Sequence, residues 1–398
     1  MEERRRAWMV AVTLWLAFLF LTAYEIAPAS FLPLVREGLD VGPAAASWLV
    51  SALLLAMAVF SIPAGIVLDR VDNRRAIFLS ITVLLLSTIW AWRAGRDGGY
   101  AWVLTARFVG GGAIVTLWTA AVNVVDGSFD RDIQGTAIAF LATSIPGGFA
   151  IGHLTAPLLA DRVGWAGSFP VYGVLAFLGV VAFAVTSRGG ALTVDAEAPS
   201  RREFGTVLRN RYVWTVAGMA FVAFSLNLLF NNWLPTYVAE NFSLPLGLGG
   251  AIAAFFPAVG VVARASGGVL SDRFFGTRRR PIVLGSFVVL VPASVAIPFI
   301  DHVAFLLVAL VVTGFVTQIG LVLLLPYVRE LVADNVAATA FAVLNTVGFL
   351  GAFSAPVVSG ALIEEAGFLA AFGYAGLLAG VGCVLAWSVP DSTQFQRG

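Results

Sequence analysis

The chain has 398 residues, of which 59% are hydrophobic and only 12% are charged, and its mean hydropathy is +0.91. Because a soluble domain carries about 25% charged residues, this composition excludes a water-soluble protein and predicts one that lies in a lipid bilayer. The net charge of +1 gives no general attraction for nucleic acid, and the single cysteine, Cys383, excludes an internal disulfide and a cysteine-based metal site.

Twelve apolar segments are long enough to cross a bilayer, since a membrane helix needs about 20 mostly apolar residues. The first segment is too long for the apolar core of a cleavable signal and is expected to be the first span. The predicted spans are 8–31, 45–66, 76–94, 101–124, 134–158 and 168–187, followed by 212–238, 248–270, 281–300, 303–326, 338–362 and 368–388. We therefore predict an all-α membrane protein with two six-helix halves, 1–187 and 212–398, joined by a polar cytoplasmic linker, 188–211.

The arginines predict which way the helices run. Most of the 24 basic residues, all of them arginine, fall in loops on the same side as the amino terminus, and such loops are cytoplasmic under the positive-inside rule. On the other side, Trp90, Trp92, Tyr100 and Trp102 bracket the loop between spans three and four, as aromatic residues do at a membrane interface. Both termini are therefore expected in the cytoplasm, and the cell membrane is the expected location.

One short loop motif occurs twice. GIVLDRVDNRR begins at Gly65, between spans two and three, and GVLSDRFFGTRRR begins at Gly268, between spans eight and nine. The aspartates of the two copies, Asp69 and Asp272, lie about half a chain length apart, so each copy joins the second and third spans of its half. Two copies in these positions indicate halves that are related by a parallel repeat.

This paired motif, Gly-x-x-x-Asp-Arg followed by basic residues, resembles the hallmark loop of the major facilitator superfamily, and the resemblance extends over the full length. RFVGGG at 107–112 in span four resembles a second motif of that family. The resemblance implies the twelve-helix facilitator fold, with transport by alternating access.

The two motif loops are expected to latch the halves in one state. A carboxylate there can meet the positive N-terminus of a neighbouring helix, and arginines can hold carboxylates or lipid phosphates. The residues assigned to these gates are Gly65, Asp69, Arg70, Arg74, Gly268, Asp272 and Arg273. The alternative interpretation is that these arginines only fix the topology.

Three charged residues lie well inside the predicted spans: Glu25, Arg107 and Arg264. Such residues are costly in a membrane and commonly functional. Glu25 and Arg107 should reach a similar depth, with His153 at the same level, and a carboxylate with a removable counter-ion beside an imidazole is a suitable proton site. By resemblance to transporters that use an acid in the first helix with the arginine of the RF-x-x-G motif, Glu25 and Arg107 are expected to couple transport to protons. His153 is expected to join them because of its depth and its titratable ring. The alternative is a structural salt bridge, with His153 as a core residue.

Arg264 has no evident carboxylate at its depth, so an anionic ligand could supply the missing charge. Its planar fork suits a carboxylate or an oxyanion. The surrounding stretch resembles the eighth helix of nitrate/nitrite porters and cyanate-type relatives, where an arginine before Gly-Gly binds the anion. The resemblance is incomplete, because Ser61 stands where those porters carry a second arginine and PGGFAIG around Gly148 lacks their asparagine. The alternative is that Arg264 extends to the nearby membrane interface.

Amide side chains from both halves, among them Asn123 in span four and Gln318 in span ten, could line a binding site. Asn227 and Asn231 lie one turn apart in span seven and share a face. Together with Asn345 of span eleven and Tyr24 of span one, they are predicted to contact the substrate near the middle of the membrane. Hydrogen bonding between helices is the alternative role for each amide.

These features predict a monomeric secondary transporter, in contact with lipid, that carries a small organic or inorganic anion with protons and uses neither a cofactor nor a metal. The alternative is a proton-coupled drug or metabolite exporter, because the first span and the loop at Asp69 resemble the opening of many exporters. Against it, span five lacks their Gly-Pro pattern. An enzyme is not expected, because the sequence holds no Ser/His/Asp arrangement and only two histidines, His153 and His302.

Overall fold

A computed structural model describes residues 2–187, 201–274, 278–333 and 336–390, apart from the side chains of 131, 201–204, 268–270, 272–274 and 338. Throughout these ranges the chain is helical and contains no strand. The predicted linker holds one short helix, and its segment 188–200 lies outside the described residues.

The first half contains eight α-helices and one 3₁₀ segment. They are α1 Glu2–Ile26, the 3₁₀ segment Ala27–Phe31, α2 Leu32–Leu39, α3 Pro43–Leu68, α4 Asn73–Arg96, α5 Tyr100–Asp126, α6 Arg131–Ala142, α7 Ser144–Val163 and α8 Ser168–Thr186. Span one is α1 continued through the 3₁₀ segment into α2, and span five is α6 followed by α7. Both spans change direction next to a proline, Pro28 and Pro146, because proline cannot donate the backbone hydrogen bond that continues a helix.

The remaining helices are α9 Arg201–Arg209, α10 Arg211–Asn241, α11 Leu246–Ala253, α12 Phe255–Phe274, α13 Arg280–Ala296, α14 Val303–Glu330 and α15 Ala337–Ser388. Helix α15 has 52 residues, and Gly367 within it has φ 75° and ψ −176°, a conformation that divides it in two. An unbroken helix of that length would span about 78 Å, whereas a bilayer core is about 30 Å thick. With α15 counted as two spans and α11 joined to α12, the described residues form twelve spans, which confirms the predicted fold.

The two halves contact each other along only part of their length. We refer to the end of the bundle with the turn at Asp69 as the Asp69 end, and to the opposite end, with the turn at Asp97, as the Asp97 end. Near the Asp97 end, the rings of Trp48 on α3 and Phe353 on α15 lie 5.4 Å apart. A Cβ on Gly360 of α15 would lie 2.9 Å from the Cα of Ala44 on α3, so these two helices are in close contact there.

The same face of α3 is open nearer the Asp69 end. Ala52, Val59 and Ile66 are two turns apart and share a face, yet Ala52 is 5% exposed whereas Val59 and Ile66 are 52% and 53% exposed. The face of α3 that α15 covers in its first part is therefore uncovered in its second part. In this conformation the halves close on each other at the Asp97 end and part towards the Asp69 end.

Candidate functional site

Arg264 lies at the interface between the halves. Its Nε donates to Oε1 of Gln318 on α14 at 2.9 Å, and its Nη1 donates to the backbone carbonyl of Ala142 at 3.1 Å. That carbonyl lacks its ordinary helical partner, because the nitrogen four residues on belongs to Pro146 and carries no hydrogen. The break between α6 and α7 thus presents an acceptor from the first half to a cation of the second half.

The positive charge of Arg264 has no carboxylate counter-ion among the residues that the structure describes. The side chain is half-buried, and its Nη2 makes no hydrogen bond within the described part of the chain. The guanidinium therefore keeps Nη2 as an unused donor at the interface between the halves.

Three amide side chains lead away from Arg264 into the core. Gln318 donates from Nε2 to Oδ1 of Asn227 at 3.0 Å, and Asn231 donates from Nδ2 to the same oxygen at 3.1 Å. All three amides are buried. Asn227 and Asn231 therefore share a face of α10, as their spacing predicts, and they contact each other as well as a third amide.

His153 on α7 continues this chain into the first half. Its Nε2 lies 3.2 Å from Oδ1 of Asn231, and its Nδ1 lies 2.7 Å from Oγ of Ser30. Ser30 belongs to the 3₁₀ segment that follows Pro28, so the break in span one places its hydroxyl against α7. The imidazole is fully buried, and both of its nitrogens are hydrogen-bonded.

Further contacts hold the halves together towards the Asp97 end. Asn232 donates to Oγ of Ser47 at 3.2 Å, and Arg36 forms an exposed ion pair of 3.8 Å with Glu240. Gly250 lets α11 approach α7 closely, because a Cβ there would lie 2.4 Å from the backbone oxygen of His153. The exposed ion pair contributes about 0–1 kcal/mol, so close packing and buried hydrogen bonds account for most of this closure.

Arg107 does not form the predicted ion pair with Glu25. Its Nε donates to the carbonyl of Leu49 at 2.6 Å, its Nη1 to that of Tyr24 at 3.0 Å and its Nη2 to that of Glu25 at 2.7 Å. Pro28 again supplies the reason, because its nitrogen would be the helical partner of the Tyr24 carbonyl and the 3₁₀ partner of the Glu25 carbonyl. The guanidinium therefore bonds to the backbone at the break in span one and leaves the Glu25 carboxylate aside.

Glu25 is buried, and its carboxylate makes no hydrogen bond or ion pair with the described residues. Tyr24 lies apart from Arg264 and the amides. Its ring packs 4.4 Å below the guanidinium of Arg107 and meets the ring of Phe169 edge-on at 5.7 Å, and its side chain is fully buried. The structure therefore places Tyr24 in the core of the first half, out of reach of a ligand at Arg264 in this conformation.

Asn345 lies on the first part of α15, half-buried and without a hydrogen bond to any described residue. It does not belong to the amide chain. The structure places it in the part of α15 nearer the Asp69 end, so its predicted contact with a ligand stays a prediction.

The first motif loop is open at the Asp69 end. Asp69 and Arg70 are exposed and form no ion pair with the described residues, whereas Asp72 caps α4 through the backbone nitrogen of Arg74 at 3.0 Å. A Cβ on Gly65 would meet nothing within 4 Å. The latch predicted for Asp69 is not engaged in this conformation, consistent with the parting of the halves there.

At the second motif, the described contacts come from Arg279, which was not among the assigned gate residues. The side chains of Gly268, Asp272 and Arg273 lie outside the described residues. Arg279 forms an ion pair with Glu330 at 3.1 Å and donates to Oγ of Ser271 at 2.6 Å. The end of α12 is thereby held to the end of α14.

Sequence reasoning missed the part played by Ser30 and left Gln318 as one amide among several. The two prolines, Pro28 and Pro146, were the feature of the sequence that could have indicated these contacts. A proline that breaks a helix leaves carbonyls without donors and changes the direction in which nearby side chains point. Within the described ranges, no group of three or more His, Cys, Asp or Glu side chains is placed to hold a metal ion. Chemically, the site offers one cation, several amides and an imidazole at the interface of the halves, which suits binding and release rather than bond breaking.

Similarity to known proteins extends over most of the chain. The family model of the Major Facilitator Superfamily matches residues 10–356 and 267–396. A probable nitrate transporter, NarT, of Staphylococcus epidermidis is 24% identical over 359 residues, which cover 87% of this chain and 89% of the relative. A nitrite extrusion protein of Bacillus subtilis is 23% identical over 319 residues, which cover 77% of this chain and 75% of the relative.

Among solved structures, a bacterial homologue of the human lysosomal transporter Spinster, in an inward-facing and occupied conformation, matches with a TM-score of 0.78. The match covers 96% of each chain at 16% sequence identity. At this identity the likeness concerns the fold alone.

Proposed function

This chain belongs to the Major Facilitator Superfamily and is a multi-pass membrane transporter, and we propose that it carries a small monovalent anion by alternating access, coupled to protons. The observation that carries the proposal is Arg264, a half-buried cation at the interface of the halves with no carboxylate partner among the described residues. A charge inside a membrane costs about 2.5–3.5 kcal/mol on insertion scales. A substrate that neutralises the charge during transport explains why the chain bears this cost.

The geometry of Arg264 favours a flat anion. Gln318 and the carbonyl of Ala142 orient two of its three nitrogens, so the guanidinium is fixed and Nη2 can donate to a ligand. A guanidinium recognises carboxylates and oxyanions through parallel N–H donors. Nitrate and nitrite, for which the relatives are named, are anions of this kind.

A single cation favours a single negative charge. Ser61 occupies the position where nitrate porters are expected to carry a second arginine, and it supplies no charge. A divalent anion would keep one uncompensated charge within the membrane, which is costly. Nitrite, nitrate and small monocarboxylates are therefore the first candidates.

Proton coupling is assigned to Glu25 and His153. Glu25 has a buried carboxylate without a hydrogen bond or ion pair to the described residues, and His153 connects the two halves. We assign Arg107 to holding the break in span one, because all three of its nitrogens donate to backbone carbonyls.

Uptake by proteoliposomes tests the proposal. Labelled nitrate, nitrite and formate are offered with and without a pH gradient to the parent, to Arg264→Ala and to Arg162→Ala, an exposed arginine at the end of α7. Loss of a charge-assisted contact of about 1.5–3 kcal/mol predicts a ten- to hundredfold loss of anion uptake for Arg264→Ala, with Arg162→Ala at the parental level.

Anion uptake that is unaffected by Arg264→Ala would contradict the assignment of that residue. Uptake that ignores the pH gradient would remove the coupling. Gradient-driven movement of amphipathic drugs in place of anions would favour the exporter alternative.

A further inference from the structure

We propose that His153 is a proton-operated release between the two halves, closed when the imidazole is neutral, and that the hydrogen bonds leading to it from Arg264 and Asn227 fix which ring nitrogen carries the hydrogen. The proposal rests on the proposed proton coupling and names the group and the direction of its effect. It starts from one continuous set of hydrogen bonds that runs through Arg264, Gln318, Asn227, Asn231, His153 and Ser30.

The polarity of this set begins at Arg264, which can only donate. Gln318 must therefore turn its Oε1 towards the guanidinium Nε, 2.9 Å away, which leaves its Nε2 to donate to Asn227 at 3.0 Å. Asn227 must in turn accept through Oδ1. A guanidinium at one end thus removes the usual ambiguity in the orientation of an amide side chain.

The same constraint reaches the imidazole. Asn231 donates from Nδ2 both to Oδ1 of Asn227 at 3.1 Å and to the backbone carbonyl of Asn227 at 2.8 Å, so it turns its own Oδ1 towards His153. The Nε2 of His153, 3.2 Å from that oxygen, therefore carries a hydrogen. In the neutral ring, Nδ1 is then an acceptor for the hydroxyl of Ser30 at 2.7 Å.

The neutral imidazole is therefore fully satisfied in the closed interface. A proton added at Nδ1 requires only that the hydroxyl of Ser30 rotate to accept. The two bonds of the ring would then become charge-assisted and about twice as strong. The imidazole has no exposed surface, so a full charge on it costs desolvation free energy. That cost commonly outweighs the bonds that a buried charge makes.

Opening of the Asp97 end would hydrate the ring and remove that cost. Protonation of His153 should therefore favour separation of α7 from α10 and α11, which is opening at the Asp97 end. Deprotonation should favour the closed arrangement, with Gly250 packed against the His153 backbone. Under the predicted topology the Asp97 end faces outside, so a proton would bind from the outside.

The other ionisable groups around α7 are few. Within the membrane they are Tyr24 and Glu25 on α1, Tyr172 on α8, Tyr237 on α10 and Arg264 on α12, while the 3₁₀ segment and α11 carry none. The hydroxyl of Tyr172 bonds to Thr155 at 2.7 Å. None of these groups bonds to the imidazole, whose two partners are Ser30 and Asn231.

The distance between the halves at the Asp97 end tests the release. Spin labels are placed on Asp97→Cys and Asp301→Cys, both exposed, in a Cys383→Ser background, and the distance between them is measured by electron spin resonance in nanodiscs from pH 8 to pH 5 without added anion. We expect a longer-distance population to grow as the pH falls. His302→Gln, which removes the other histidine, should keep this response, and His153→Gln should lose it.

A pH response that survives in His153→Gln, or is absent from the parent, would overturn the proposal. A response that is lost in Glu25→Gln and kept in His153→Gln would transfer the role to Glu25. Ser30→Ala provides a second variant in case His153→Gln misfolds. It leaves Nδ1 of the neutral ring without a donor in the closed state, so the midpoint of the response should move about one pH unit higher.

The hydrogen position has a direct spectroscopic test. With only two histidines in the chain, imidazole ¹⁵N labelling gives two sets of signals, and His302→Gln identifies those of His153. At pH 8 we expect a protonated Nε2 and an unprotonated Nδ1. Arg264→Gln should keep this tautomer, because the backbone carbonyl of Asn227 still orients Asn231, and a single protonated Nδ1 in the parent would contradict the derived polarity.

These measurements are made without anion, so they separate the two proposals. Loss of anion uptake with an intact pH response would reject the transport function and keep the release. Normal proton-driven uptake of the anion, without a pH response that depends on His153, would keep the transport function and reject the release.

Discussion

The two arginines inside the membrane, Arg107 and Arg264, both carry a charge away from water, and their hydrogen bonds stabilise that charge differently. Each donates to a backbone carbonyl that a proline deprives of its helical partner, Pro28 in the first case and Pro146 in the second. Arg107 uses all three nitrogens within the first half and is 0% exposed. Arg264 reaches from one half to the other and keeps Nη2 unbonded within the described residues.

This difference separates a structural cation from one that is available to a ligand. Arg107 also lies over the rings of Tyr24 at 4.4 Å and Phe169 at 5.4 Å, so its charge is surrounded by carbonyls and aromatic faces. Arg264 donates to one amide and one carbonyl, and its Nη2 is unbonded within the described residues. Burial of an intramembrane charge alone therefore does not mark a candidate binding residue, whereas an unused donor makes Arg264 the better candidate of the two.

The largest effect is expected from Arg107→Ala. It removes the donors of the Tyr24 and Glu25 carbonyls at the break in span one, and each carbonyl left unpaired costs about 1–3 kcal/mol. We expect little folded protein, measured by fluorescence-detected size exclusion and thermal unfolding in detergent. Arg264→Ala should be destabilised less, because the loss of its bonds to Gln318 and Ala142 is offset by removal of a charge without a carboxylate partner among the described residues. A stable Arg107→Ala protein with a selective transport defect would break the distinction between the two arginines.

A smaller effect is expected where the halves meet at His153. Gly250→Ala places a Cβ 2.4 Å from the carbonyl oxygen of His153, whereas Gly247→Ala, on the same helix, has only a contact of 3.9 Å with Leu158. Overpacking of this kind costs about 1–3 kcal/mol. Gly250→Ala should shift the spin-label distances towards the open Asp97 end, and Gly247→Ala should leave them unchanged; equal behaviour of the two variants would show that the closure does not depend on this contact.

The smallest effect is expected from Pro146→Ala. The new backbone N–H would compete with Arg264 for the carbonyl of Ala142, and such a hydrogen bond contributes about 0.5–1.5 kcal/mol. Anion binding to Arg264, followed by calorimetry, should tighten by no more than about tenfold because the guanidinium loses a competing acceptor. Pro292→Ala, a proline within α13, is the control, and weaker binding in Pro146→Ala would mean that the carbonyl positions Arg264 for its ligand.

The sequence alone determined the features that depend on local composition and spacing. Apolar length predicted the twelve spans, because the bilayer sets the length of a helix that crosses it. The repeat at Asp69 and Asp272 predicted the two related halves, and the family assignment confirms the resemblance. The spacing of Asn227 and Asn231 placed them on one face, since helical periodicity is a local property.

Contacts between spans were decided only by the tertiary structure. Similar depth suggested that Glu25 and Arg107 would pair, but depth is one coordinate, and the rotation of each helix about its axis sets which side chains meet. Arg107 turned to carbonyls that Pro28 leaves without donors, and Tyr24 turned into the core. The path from Arg264 to Ser30 crosses five spans, and its members lie far apart in the sequence, so it exists only once the helices have packed.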